Sequence, residues 1–136
     1  MASDAESASS TVKANLLNRT VLIVEDHKDS RDLLTTVLRS LKAHVVAVAT
    51  IVDAEREIQF VRPHLIVCDI NLPDGTGIDF IKWLRSLRRG ADVPAIAITG
   101  WEDRFPPTIA DGFDAYMKKP IDVDKFCTVA VALAQR

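Results

Sequence analysis

A chain of 136 residues is long enough to bury a core of its own and short for two ordinary domains; with 48% hydrophobic and 26% charged residues it reads as one globular domain. A net charge of −2, with Arg85, Arg88 and Arg89 as one of a few short basic clusters, excludes the basic stripe of a domain that binds nucleic acid directly. No apolar run approaches a membrane span, the N-terminus lacks the order of a secretory signal, and Cys68 and Cys127 have neither metal-ligand nor disulfide spacing, so a reduced, cytoplasmic protein with both cysteines in its core is expected.

Residues 1–18, rich in Ala and Ser with little to bury, are expected to form a flexible leader, and residues 19–136 the domain. "TVLIVED" is an apolar strand ending in acids, and "SRDLLTTVLRSLKA" follows with Leu33, Leu34, Val37, Leu38 and Leu41 at helical spacing. "HVVAVA" is a second strand. "TIVDAEREIQFVR" opens on Thr50 with Asp53 three residues on, a capping arrangement for a helix ended by Pro63. "LIVCD" is the third strand, "TGIDFIKWLRSLRR" a helix with Phe80, Ile81, Leu84 and Leu87 inward, stopped at Gly90, and "VPAIAIT" the fourth strand. Pro106 and Pro107 break the next segment and leave room for only a shortened or irregular fourth helix. "DAYMK" is a fifth strand and "DVDKFCTVAVALAQR" a fifth helix, whose core face is Val123, Phe126, Cys127, Ala130 and Ala134. Val129, Val131 and Leu133 widen its apolar arc, which leaves a homodimer surface and deep packing as two open readings.

Strands alternating with helices predict an α/β fold with a parallel sheet covered on both faces, whose ligands bind outside the carboxyl ends of the strands. There the sequence places Glu25 and Asp26 after the first strand, Asp69 at the end of the third, Thr99 at the end of the fourth and Lys119 after the fifth. Each alone has an ordinary explanation: a helix N-terminus for the acids, a cap for Thr99, a surface charge for Lys119. Together they demand positive charge, because three neighbouring carboxylates repel one another. A hard divalent cation that keeps some waters, Mg²⁺ rather than Ca²⁺, suits such a small open oxygen site.

"VLIVED", "CDINLPDGTG", "IAITG" and "YMKKP", in this order and spacing, resemble the receiver domain of two-component response regulators from Thr20 to the C-terminus. The resemblance implies a flavodoxin-like (βα)5 doubly wound sheet of strand order 2-1-3-4-5. It further implies that Asp69 accepts a phosphoryl group from a histidine kinase or histidine phosphotransfer protein, and that the domain catalyses its own phosphorylation and dephosphorylation. Glu25, Asp26, Asp69 and the main-chain carbonyl of Asn71 would hold Mg²⁺, with Lys119 as a second positive charge. Thr99 would be the switch hydroxyl and Tyr116 the aromatic that moves with it. Lys119–Pro120 would be a cis bond that turns the ammonium back into the site, and Gly77 a turn glycine kept by positive φ or tight packing. A downstream protein partner is implied, with no direct contact to nucleic acid or membrane, and a free-standing chemotaxis-type regulator, a relay intermediate and a piece of a hybrid kinase stay open.

Departures from the pattern are Glu25 where relatives often carry Asp, Gly75 where they often carry a larger residue, and the Pro106-Pro107 segment. Trp101, two residues after Thr99, either shields the site from water or packs on that segment. Two rivals remain: a phosphatase of the haloacid dehalogenase type, which shares the "DGT" string but needs an acid where this chain has Asn71, and a pseudo-receiver that only binds partners.

Overall fold

The computed structural model describes residues 15–100 and 111–136. Trp101 and the Pro106-Pro107 segment, and with them the expected shortened or irregular fourth helix, lie outside the described residues. In chain order the elements are β1 (Thr20–Val24), α1 (Lys28–Ser40), β2 (His44–Val48), α2 (Ile51–Ile58), β3 (Leu65–Asp69), β4 (Asn71–Leu72), β5 (Gly75–Thr76), α3 (Gly77–Ser86), β6 (Ala95–Thr99), β7 (Ala115–Lys118) and α4 (Val123–Ala134), with a 3₁₀ turn at Arg88–Gly90. The five long strands pair in parallel in the order β2-β1-β3-β6-β7, which is the 2-1-3-4-5 order of the α/β, flavodoxin-like class. β4 and β5 form a small antiparallel hairpin of their own.

The pleat sorts side chains into two layers. Val21, Ile23, Leu65, Val67, Ile96, Ile98 and Met117 pack with Leu34 and Leu38 of α1 and Phe126, Ala130 and Ala134 of α4. Their neighbours Leu22, Val24, Ile66, Cys68, Ala95 and Ala97 pack with Ala54 and Ile58 of α2 and Phe80, Ile81 and Leu84 of α3. Burial on both faces explains why β3 and β6 read as unbroken apolar runs.

Packing starts before the expected boundary. Leu16, assigned to the leader by composition, is fully buried in the α1/α4 layer, its amide bonded to the Leu41 carbonyl at 2.6 Å, while Gln135 Nε2 holds the Asn15 carbonyl at 2.7 Å. Leu16 and Leu17, side by side at the end of a polar leader, were too short a run to show periodicity. Two inward assignments also change: Leu33 and Val123 are exposed, on the outer sides of α1 and α4. Val129, Val131 and Leu133 pack partly against the core. Cys68 is buried, as expected; Cys127 is only half-buried.

Helix limits follow their caps. Thr50 accepts from Asp53 N at 3.1 Å, as its spacing predicts, but α2 ends at Ile58, well before Pro63, since Gln59 and Phe60 have nothing to bury against. α3 ends at Ser86 because Leu87 is extended. Arg85 then ties the following turn together, donating to the carbonyls of Gly90 (2.8 Å), Val93 (2.6 Å) and Gly112 (2.8 Å). The arginine that sequence placed in a short basic cluster is thus spent on backbone oxygens.

Truncating Leu16 tests whether the N-terminal segment belongs to the fold. Leu16→Ala is expected to lower the unfolding free energy by about 2–4 kcal/mol in urea titration, as for other buried leucines; a loss below about 0.5 kcal/mol would mean that the segment contributes no packing.

Candidate functional site

The site is assembled where strands end. Glu25 stands two residues beyond Ile23, Asp69 two beyond Val67 and Lys119 two beyond Met117, and those three apolar residues share one layer of the core. Extending the pleat by one step from each strand therefore brings two acids and a base to one corner of the sheet. Glu25 N donates to the Val48 carbonyl at 3.0 Å, continuing the ladder toward β2. Arg31 from α1 clamps the turn that follows, its Nη1 donating to the carbonyls of Glu25 (3.0 Å) and Asp26 (3.2 Å). On the other side Lys119 N donates to the Thr99 carbonyl at 2.8 Å, and the Lys119–Pro120 bond is cis.

The Lys119 ammonium donates to Glu25 Oε1 at 2.6 Å and to Asp69 Oδ2 at 3.1 Å. Glu25 and Asp69 are 1% and 4% exposed, so both carboxylates are out of water and one cation is shared between them. Asp69 Oδ1 accepts from Asn71 N at 3.2 Å. Among the described residues Glu25 Oε2 and Asp26 Oδ1 are buried with no hydrogen-bond partner. His27 Nδ1 comes within 3.4 Å of Asp26 Oδ1, close enough for an ion pair if protonated but without hydrogen-bond geometry.

The electrostatics follow from this shortage of positive charge. Burial first, then the neighbouring Asp69 carboxylate, push the Glu25 carboxyl up to about 8, against the lowering effect of Lys119. Burial works against the Lys119 charge, but Glu25 and Asp69 outweigh it and hold the ammonium above its usual range. Burial also pushes the Cys68 thiol up, so this cysteine beside the site is an inert core residue.

Two orphaned, buried carboxylate oxygens beside a third acid are the donor set a hard cation requires. One oxygen or nitrogen from each of Glu25, Asp26, His27 and Asp69 can be chosen so that all lie within 4.8 Å of one another. The residues therefore fit a divalent ion with oxygen preference; His27, whose side chain is 71% exposed, stands at the solvent side of the group. A cleft of about 410 Å³ opens over Asp69, lined by His27, Lys28, Asp29, Asn71 and Lys119 among others. It has room for a small anionic group over Asp69 and Lys119.

Thr99 is brought to the same sheet edge and is buried, but its hydroxyl donates to the Met117 carbonyl at 3.4 Å. With the exposed Tyr116 it lines a neighbouring cavity of about 450 Å³ rather than the cleft over Asp69. Gly77 has no positive φ; a Cβ there would run into the Asp69 carbonyl oxygen and come within 3.0 Å of Cys68 Sγ, so tight packing against the end of β3 explains the glycine. Arg31 and His27 were missed by sequence reading. A basic residue one helical turn and a half after "ED" was the available signal for the first.

The family model for the response regulator receiver domain matches residues 21–130. The chain belongs to the response regulator receiver family. Among curated relatives, a 14.6 kDa protein of Leptolyngbya boryana is 34% identical over 75% of this chain and 79% of its own length. The polar-differentiation response regulator DivK of Brucella anthropi is 30% identical over 79% of this receiver and 89% of its own length. The receiver domain of a Pseudomonas aeruginosa sensor histidine kinase, solved with a magnesium ion coordinated in its active-site cleft, superposes with a TM-score of 0.79 at 25% identity, over 87% of this chain and 98% of that one. A Chloroflexus aurantiacus response regulator at 24% identity and TM-score 0.81 has the same fold. In this receiver the acidic cluster lies where the family is phosphorylated. Among the described residues no helix is long and apolar enough to cross a membrane.

The raised Glu25 carboxyl makes stability depend on pH. Between its ordinary value of 4.5 and about 8 the folded protein holds one proton more than the unfolded chain, so stability falls as pH rises, by at most about 1.4 kcal/mol per unit. Lys119, raised in the fold, stays charged through this window and does not offset the trend. Urea midpoints in EDTA are expected to drop between pH 5.5 and pH 8, and Glu25→Gln is expected to flatten the drop; equal slopes for both proteins would contradict the assignment.

Proposed function

We propose that the protein is a phosphoacceptor response regulator, in which Asp69 takes a phosphoryl group from a phosphohistidine in a Mg²⁺-dependent transfer and the change in charge shifts conformation and partner binding. The observation that carries this reading is the shared ammonium: Lys119 holds two buried carboxylates at 2.6 and 3.1 Å while two neighbouring carboxylate oxygens have no partner among the described residues. Such a corner stabilises added negative charge once a cation completes it.

In the transfer an Asp69 carboxylate oxygen forms a bond to phosphorus as the phosphorus–nitrogen bond breaks, and the electron pair returns to the donor imidazole. Glu25, Asp26, Asp69 and the Asn71 main-chain carbonyl would hold Mg²⁺, which when bound supplies neutralisation of the phosphoryl oxygens. Lys119, already aimed at Asp69, supplies the second positive charge and needs no reorganisation at the moment of transfer. Asn71 N keeps the other Asp69 oxygen oriented. Hydrolysis of the aspartyl phosphate by water at the same site would end the signal.

The Thr99 hydroxyl, which now donates to Met117, is the group we assign to the switch: turning it to the phosphoryl oxygens would vacate space beside the exposed Tyr116. The phosphodonor is a histidine kinase or histidine phosphotransfer protein, the reader of the switched state a downstream protein, and the setting the cytoplasm. Packing of Val129, Val131 and Leu133 against the core favours a monomer over the homodimer reading of α4.

Incubation with Mg²⁺ and acetyl phosphate, followed by intact mass, tests the reading. The wild type is expected to gain one base-labile phosphoryl group, Asp69→Asn and EDTA-treated protein none, and Lys119→Ala to gain it at least about tenfold more slowly. A label that persists in Asp69→Asn, or turnover of phosphomonoesters without a label, would contradict it.

A further inference from the structure

Asp74 lies outside the acid cluster, in the loop that leads from Asp69 to α3. Both of its carboxylate oxygens are used: Oδ1 accepts from Ile51 N at 2.9 Å and Oδ2 from Val52 N at 3.0 Å. These amides are the first two of α2, which no carbonyl within the helix can satisfy. A carboxylate there also meets the favourable end of the helix dipole. The two bonds hold the Asp74 carboxyl below its usual range.

Local capping does not require this contact. Thr50, the residue before α2, already accepts from Asp53 N at 3.1 Å, so the helix has a cap of its own and the grip of Asp74 is an addition from 22–23 residues away in sequence. The backbone is shaped to allow it. Gly75, at φ +151°, brings the loop so close to α2 that a Cβ would stand 3.0 Å from Ile51 Cδ1.

From Asp74 the anchorage reaches the acceptor through paired backbone. The β4–β5 hairpin sets Asn71 opposite Thr76 and Leu72 opposite Gly75, with Asp74 in the connection between the two strands. At its start Asn71 N donates to Asp69 Oδ1 at 3.2 Å. We infer that Asp74 is a positioning residue: it pins the Asn71–Thr76 hairpin to the N-terminus of α2 and so fixes Asn71, whose amide orients Asp69 and whose carbonyl completes the cation site. The part concerning the carbonyl rests on the proposed function; the part concerning the amide does not.

Two measurements on the full chain test this. In metal-free protein, hydrogen exchange at the Asn71 amide is expected to accelerate about tenfold or more in Asp74→Ala. In calorimetric titration with Mg²⁺, Asp74→Ala is expected to bind about tenfold more weakly than wild type, as when an outer partner of a metal ligand is removed, and Asp74→Asn to recover part of the loss by satisfying one of the two amides. Thr50→Ala removes a cap from the same helix without touching the loop and is expected to keep wild-type values in both. Unchanged Asn71 exchange in Asp74→Ala, or an equal effect of Thr50→Ala, would overturn the inference. A wild type that takes up no Mg²⁺ would refute the cation reading alone, because the exchange measurement decides the role of Asp74 without metal.

Discussion

The Lys119 ammonium stands between Glu25 and Asp69 at the carboxyl edge of the sheet, and both acids are almost wholly removed from water. Desolvating a carboxylate is expensive unless it is paired, and here one positive charge serves two negative ones with a third, Asp26, beside them. The remainder appears in two places: a Glu25 carboxyl pushed up to about 8 and a pair of buried oxygens with no partner among the described residues. A corner so short of positive charge is poised for a cation, and with the cation for an anion that both charges can hold.

Sheet order makes this arrangement possible and constrains which residue completes it. β1 and β3 are neighbours, so Glu25 and Asp69 meet directly. Lys119 follows β7, which pairs with β6 and not with β3, so its side chain must cross the width of one strand to reach Asp69 and of two to reach Glu25. The long lysine stem does so with the charge at its tip; the side chain as a whole is 23% exposed while the acids beneath it are closed off. Beneath Asp69, Gly77 lets α3 start directly against its carbonyl; beside it, Arg31 fixes the acidic turn and Asp74 holds the hairpin. The backbone around the carboxylates is therefore held by contacts to three helices as well as by the strands that carry it.

Most of this fold was legible in the sequence because a parallel sheet buried on both faces writes itself as unbroken apolar runs such as "LIVCD" and "AIAIT". Asp69 and Thr99, the residues proposed for the site and the switch, finish those runs and stood out for the same reason. What escaped was contact without period. Leu16 is one buried residue in a polar stretch, Asp74 bonds a helix 22–23 residues earlier, and Arg85 satisfies three carbonyls, of Gly90, Val93 and Gly112. Helix faces were over-assigned at Leu33 and Val123, where spacing fits but the helix edge faces solvent.

Carboxyl-carbon NMR of Glu25 measures the central charge shortage directly. Without divalent cation the Glu25 carboxyl is expected to titrate near pH 8, and saturating Mg²⁺ is expected to move that midpoint down toward the ordinary carboxylate range. A midpoint near 4.5 in metal-free protein, unmoved by Mg²⁺, would mean that Lys119 alone satisfies both acids, and would contradict the account.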